Sequence, residues 1–272
     1  MLLSDRPLLL ENKLRLYMSK PRVLFYDIET SPIIAYTWTE WVDGQVIETI
    51  EDYQILTVAW KWLGEKKVYC IGQDDFPDYK PGKINDKSVL KAFRKILDEA
   101  DVTVGHNSDQ FDMKKLRARM IIQGLQPYSP VKQYDTKKAA KRIGGFTSNR
   151  LGRLAKDLDV AAKGDPGGFA TWKGCMAGDP KSWAKMKRYN KQDIPPLEDL
   201  YVKFAPWDTQ APALHILADR PDSCPNCLSP HIQARGLSTP TKTGRRQRYV
   251  CMNCGKWLQG RQTIKSNVQF VT

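Results

Sequence analysis

The sequence predicts an α/β domain followed by a small C-terminal metal-binding unit, and three observations predict it. Over residues 23–193, runs rich in β-branched and aromatic residues alternate with stretches whose apolar residues recur every three or four positions, the marks of strands and helices. Near the C-terminus stand two CxxC pairs, Cys224-Pro-Asn-Cys227 and Cys251-Met-Asn-Cys254. After Asp222 no acidic residue occurs, while Arg235, Lys242, Arg245, Arg246, Arg248, Lys256, Arg261 and Lys265 all follow it.

Along the chain, Val23 to Asp27 forms the first strand. Residues 55–62 and 67–72 form two more, joined as a hairpin by the turn at Leu63-Gly64-Glu65. Trp60 and Trp62 alternate on that hairpin and pack one face of a sheet. Val89, Leu90, Phe93, Ile96 and Leu97 then recur at helical spacing behind Ser88 as N-cap. Val102 to Val104 is a short strand ending at Gly105, followed by a helix through Lys114, Leu116 and Met120. A further strand lies near Lys132 to Asp135, and Ser148 caps a helix carrying Leu151, Leu154 and Leu158. A Gly-rich loop covers 163–180, and a last helix runs from about Lys181 toward Asp193. A composition break at Pro206 to Pro221 divides the chain into an N-terminal extension (1–20), an α/β domain (21–207), a linker (208–222) and a C-terminal unit (223–272).

Composition excludes other classes. A chain of 272 residues with 41% apolar residues is long enough for a substantial core and is not a disordered polymer. No apolar run reaches membrane-spanning length, and the start, MLLSDRPLLLENK, is broken by Asp5 and Arg6 and lacks a small-residue cleavage site. The expectation is a soluble cytoplasmic protein without a membrane partner. A net charge of +13 and a pI near 9.4 point to a polyanionic partner, nucleic acid being the commonest.

The four paired cysteines are the strongest single signal. Each CxxC turn presents two thiolates on one side, and two such turns complete the tetrahedral sulfur shell that suits one structural Zn²⁺. Disulfides are the competing reading, disfavoured in a chain with no secretory signal. Cys70 and Cys175 read as ordinary small packing residues. A unit this small needs the metal for much of its stability. Arg245, Arg246 and Arg248 are candidate phosphate contacts. The rings of Tyr249 and Trp257 either stack bases beside these cations or form the unit's small core.

The acidic residues carry the chemistry. In VLFYDIETS the first strand ends in Asp27 and Glu29, which share a face while Ile28 points to the other. Like charges that close raise one another's pKa unless a cation neutralises them. Asp112 opens a helix in NSDQFDMKKL, and Asp193 follows Tyr189 by one helical turn in KRYNKQDIPP. GDPGGF at 164–169 lacks the lysine and serine of a P-loop. His106 and Asp135 stay outside the candidate site, the latter as a supporting acid or a strand end.

In that order and spacing, DIE at 27–29, N-x-x-x-F-D at 107–112 and Y-x-x-x-D at 189–193 resemble the three exonuclease motifs of the DEDD superfamily, and Tyr189 resembles its DEDDy subgroup. TVAWKW, SNRL and YNKQD are similar to stand-alone bacteriophage exonucleases, some of which end in a zinc ribbon. The resemblance covers about residues 21–205. It implies an RNase H-like fold with a five-stranded mixed sheet flanked by helices, including an antiparallel three-stranded edge.

The same resemblance implies that Asp27, Glu29 and Asp193 hold one Mg²⁺ or Mn²⁺, that Asp27 bridges to a second supported by Asp112, and that Tyr189 orients the attacking water. Asn107 and Phe111 would lie beside the terminal nucleotide, although Phe111 also reads as a core residue. The expected activity is 3′-to-5′ exonucleolytic hydrolysis, most of all of single-stranded DNA, giving nucleoside 5′-monophosphates, in the host cytoplasm if phage-encoded. A non-catalytic nucleic-acid adaptor is the rival reading. A third keeps the enzyme and has the ribbon dock a replication or recombination protein.

Overall fold

The computed structural model describes residues 20–42, 44–160, 168–238, 240 and 244–264. The expected N-terminal extension up to residue 19, residues 161–167 of the expected Gly-rich loop, Lys242 and Lys265 lie outside the described residues. The chain forms two compact units, one spanning Arg22–Tyr201 and a second containing Val202–Thr272.

Among its described residues the first unit has seven strands: β1 (Val23–Thr30), β2 (Ile34–Tyr36), β3 (Glu48–Glu51), β4 (Ile55–Trp62), β5 (Tyr69–Gly72), β6 (Val102–Gly105) and β7 (Lys132–Asp135). Five of them make a mixed sheet in the order β5-β4-β1-β6-β7. The β5-β4-β1 edge is antiparallel, and β6 and β7 continue parallel to β1. This is the α/β, RNase H-like arrangement. The short β2-β3 hairpin, absent from the sequence reading, leaves the sheet after Thr30. Its apolar residues are not a buried stripe: Trp38 and Trp41 are 90% and 89% exposed.

β1 is central, so both its faces are covered. Leu24, Tyr26 and Ile28 join Val58, Trp60 and Trp62 in one core cluster, against Val89, Leu90 and Phe93 of α1 (Lys87–Asp98) and Met113 and Leu116 of α2 (Asp112–Ile122). On the other face Phe25 meets Tyr201 edge-on at 5.5 Å. The alternation therefore sends Asp27 and Glu29 to the face opposite Ile28, as the period of two requires.

Several local expectations need correction. The residue before α1 is Asp86, not Ser88, whose hydroxyl donates to Asp78. Asp86 is instead buried, accepting from the Arg119 guanidinium at 2.7 and 3.0 Å and from the Ile55 N–H at 3.1 Å. Helix α3 (Thr136–Ile143) follows β7 directly and escaped notice because its lysines obscure the apolar period. Arg150, not Ser148, stands at the cap of α4 (Leu151–Asp157). The stretch read as loop to residue 180 contains α5 (Ala170–Ala177).

Helix α6 (Pro180–Gln192) is well signalled: Asp179 accepts from the N–H groups of Lys181 and Ser182, and Pro180 occupies the first turn. A second helix, α7 (Ile194–Phe204), starts immediately after it. Pro195 and Pro196 explain the break, since neither can donate to a preceding turn, yet both fit a first turn whose N–H groups need no partner. Asp193 sits at that junction.

The second unit holds α8 (Leu214–Leu217) and an antiparallel sheet of β8 (Ile232–Leu237), β9 (Arg245–Cys251) and β10 (Trp257–Ile264), in the order β10-β9-β8. The segment read as a linker packs within this unit: Asp208 and Leu214 are buried, and the Leu214 N–H donates to the Pro225 carbonyl at 2.8 Å. Lys256 reaches back to the carbonyls of Ala205 and Asp208 at 2.7 and 2.8 Å. Trp257 is 58% exposed with the Arg248 guanidinium 5.6 Å over its ring, so it is not the unit's core. Tyr249, paired with Ala234 and Leu258, is half-buried. Among the described residues, no helix is long and apolar enough to cross a membrane.

Candidate active site

Asp27 and Glu29 leave β1 on one face, and Asp193 arrives from the junction of α6 and α7. One ligand oxygen from each lies within 4.8 Å of the others. Asp193 is 3% exposed. Two oxygens bound to one Mg²⁺ at ~2.1 Å stand at most about 4.2 Å apart, so small side-chain rotations suffice to bring this trio onto one ion. The donor set is hard carboxylate oxygen, which suits Mg²⁺ or Mn²⁺ and not a thiophilic metal.

Asp112 reaches the same place by another route. It is the first residue of α2, 4% exposed, and its Oδ1 accepts from the Ile28 N–H at 3.3 Å, between the two acids of β1. Two effects oppose each other here. The helix N-terminus and the Ile28 N–H favour the carboxylate, whereas burial and nearby Asp135 favour the acid. Burial wins, holding the Asp112 carboxyl up at about 7. Three carboxyl groups from β1 and the α6–α7 junction thus gather, and α2 ties Asp112 to the backbone between the first two.

The loop that delivers Asp112 is anchored by a residue the sequence reading left aside. Asp135 caps α3 and also accepts from the N–H groups of Asn107 at 2.9 Å and Asp109 at 3.2 Å. Asn107 takes a left-handed φ of 65°, which asparagine tolerates, and its side chain accepts from Lys137 at 3.3 Å. A Cβ at Gly105 would lie 2.3 Å from that of Ser108, so only glycine lets the loop close against β6. His106 is structural as expected, between Thr136 Oγ1 and the Asn149 carbonyl at 2.9 and 3.0 Å. The sequence signal for Asp135 was its position directly before Thr136-Lys137-Lys138, a helix start.

Phe111 is 41% exposed, which overturns its reading as a core residue. The Lys115 ammonium lies 5.0 Å from its ring centroid and 3.4 Å from that of Tyr53. Tyr189 is buried one turn before Asp193, its ring 6.2 Å edge-on from Trp172. Cys175, Trp183 and Met186 pack in the same cluster, which confirms Cys175 as a packing residue. A further residue, Asn190, donates to Asp27 Oδ2 at 2.7 Å.

In the second unit the four cysteines gather as their spacing predicts. Cys224 Sγ and Cys254 Sγ are 3.7 Å apart, Cys227 Sγ and Cys251 Sγ 3.6 Å, and all four are free thiols. Thiolates ~2.3 Å from a shared Zn²⁺ stand about 3.8 Å apart at tetrahedral angles. A disulfide needs ~2.05 Å. The donors therefore fit a zinc shell. Arg245, Arg246 and Arg248 are exposed on β9, with Arg246 and Arg248 on one face and Arg245 on the other.

A model of the RNase_H superfamily matches residues 24–205 of the chain. Over 121 residues the chain is 26% identical to the DNA polymerase III PolC-type of Ureaplasma parvum serovar 3, a match covering 44% of this chain and 8% of that protein. The chain thus spans a small fraction of that relative. RNase H-like nucleases use divalent metals, and the gathered acids fit such a site. Fold, acidic centre and matched residues coincide: the chain belongs to the RNase_H superfamily, and Arg22–Tyr201 is its RNase H-like nuclease domain.

Proposed function

We propose that the protein is a metal-dependent 3′-to-5′ exonuclease of DEDDy type, similar to stand-alone phage enzymes, that acts on single-stranded DNA in the cytoplasm and releases nucleoside 5′-monophosphates. The observation that carries this reading is the meeting of Asp27, Glu29 and Asp193 within 4.8 Å, with Asp112 tied to the same strand. Asp27, Glu29 and Asp193 would hold one Mg²⁺ or Mn²⁺, and Asp27 with Asp112 would hold a second. Such ions would supply Lewis acidity at the attacking water and the leaving 3′ oxygen.

The chain's own residues do the rest. Tyr189 orients the water and does not deprotonate it, because a phenol of pKa near ~10 is a poor base at neutral pH. Phe111, exposed immediately before Asp112, offers a ring face to the terminal base. Asn107 fixes the loop that leads into both. In the C-terminal zinc ribbon, Arg246, Arg248 and the exposed Trp257 hold the strand by phosphate attraction and stacking, with Arg245 on the opposite face.

The test is incubation of 5′-labelled single-stranded DNA, duplex DNA and RNA with Mg²⁺ or Mn²⁺. A ladder of products shortened from the 3′ end, fastest on single-stranded DNA, is expected. One internal product in place of the ladder refutes the exonuclease reading, and faster cutting of RNA refutes the substrate.

A further inference from the structure

Asn190 stands in YNKQD without an assigned role, yet it is fully buried beside the acids. Its exposure is 0%, on α6 beside Tyr189. Its Nδ2 donates to Asp27 Oδ2 at 2.7 Å, and its Oδ1 accepts from the Thr57 hydroxyl at 3.0 Å. Thr57 is also 0% exposed and stands on β4 directly opposite Glu29. The sulfhydryl of Cys70 approaches the same Oδ1 at 3.9 Å.

The direction of this chain of bonds follows from chemistry. An ionised carboxylate only accepts, so the amide must turn its NH₂ toward Asp27. That leaves Oδ1 facing Thr57, whose hydroxyl must then donate. Each bond fixes the next. One Asp27 oxygen is engaged by a buried amide whose own oxygen is held by Thr57. Thr57 holds the amide, the amide holds the carboxylate, and β4 is thereby coupled to the metal-facing edge of β1.

We infer that Asn190, oriented by Thr57, is a positioning residue that presets the Asp27 carboxylate for divalent-ion binding. The inference rests on the reading of the acid cluster as a metal centre. Partners one step removed from a metal typically change its affinity 10–100-fold when lost. Asparagine is suited to the task because it is neutral at every pH: an aspartate there would add a further negative group, and an alanine would remove the hydrogen bond to Asp27.

The experiment is Mn²⁺ titration of the intact, zinc-loaded chain by calorimetry, with thermal melting and zinc content measured on each variant. Asn190→Ala is expected to weaken Mn²⁺ binding about 10–100-fold. Thr57→Val should weaken it less, and Thr57→Ser, which keeps the hydroxyl, should restore most of that loss. If Asn190→Ala does not fold, the Thr57→Val and Thr57→Ser pair decides. Asp193→Ala separates the two levels of the argument. Wild-type protein binding no more Mn²⁺ than Asp193→Ala overturns the metal centre and this inference with it. Wild-type binding with an unchanged affinity in Asn190→Ala, or in Thr57→Val where that pair decides, overturns the role of Asn190 alone.

Discussion

The Ile28 N–H donates to Asp112 Oδ1 at 3.3 Å, joining residues 84 positions apart. Because Ile28 separates Asp27 from Glu29, this one bond brings the start of α2 to the strand end that carries two other acids. Burial of Asp112 there, with Asp135 nearby, raises its carboxyl above the ordinary aspartate range.

In metal-free protein that carboxyl makes stability depend on pH. Its folded value of about 7 lies above the ~3.9 of an unfolded aspartate, so between these values the folded chain keeps a proton that the unfolded chain has lost. Its stabilising contribution is present below ~4 and is lost as pH rises through about 7. Thermal melts of chelator-treated protein from pH 4 to 8 are expected to fall more steeply for wild type than for Asp112→Asn. Parallel curves would show that Asp112 ionises normally.

Removing a principal carboxylate should abolish cleavage. Asp27→Ala and Asp193→Ala are expected to lose more than about a thousandfold in rate, the scale of removing groups that stabilise transition-state charge. Circular dichroism and zinc content should stay at wild-type levels. Full turnover by either variant rules out the assigned centre.

Tyr189→Phe should slow hydrolysis without ending it. Loss of a water-orienting hydroxyl costs about tenfold to a hundredfold, as misplacement of a reactant does. Single-turnover rates at saturating Mg²⁺ measure this. A loss as large as that of Asp193→Ala would make the phenol an essential group instead.

One zinc per chain is expected by elemental analysis. Cys251→Ser should remove it and unfold the C-terminal unit, because a small unit draws much of its folding free energy from the metal. Proteolysis is the check, with new cleavage after Val202 and protection retained over Arg22–Tyr201. An intact C-terminal unit without zinc contradicts the structural role.

Arg246→Ala and Arg248→Ala should weaken single-stranded DNA binding, measured by anisotropy with the Asp27→Ala protein. Each lost phosphate contact is expected to flatten the plot of log affinity against log salt by ~0.7. An unchanged slope in both variants assigns the ribbon another task.

Much of this was legible in local pattern. The β1 run and the helix through Phe93 and Leu97 follow from apolar runs and side-chain period, which report directly on which face an element buries. Helix α3 was missed because three lysines sit among its few apolar positions, and α7, with Pro195 and Pro196 in its first turn, lies beyond the last helix read. Asn190, although part of YNKQD, was given no role. Its role depends on Thr57 and Asp27, which approach it only when α6 packs on the sheet.

By itself the sequence determined the four-thiol cluster and placed Asp27 with Glu29, and Tyr189 with Asp193, because turn spacing, the period of two and the helical turn are local geometry. Only tertiary structure decided that Asp112 would reach Ile28, that Asp135 would anchor the intervening loop, and that Phe111 and Trp257 would face solvent. Those outcomes depend on which surfaces meet across the sheet, and hydrophobic burial is not directional enough to write that into any short stretch of chain.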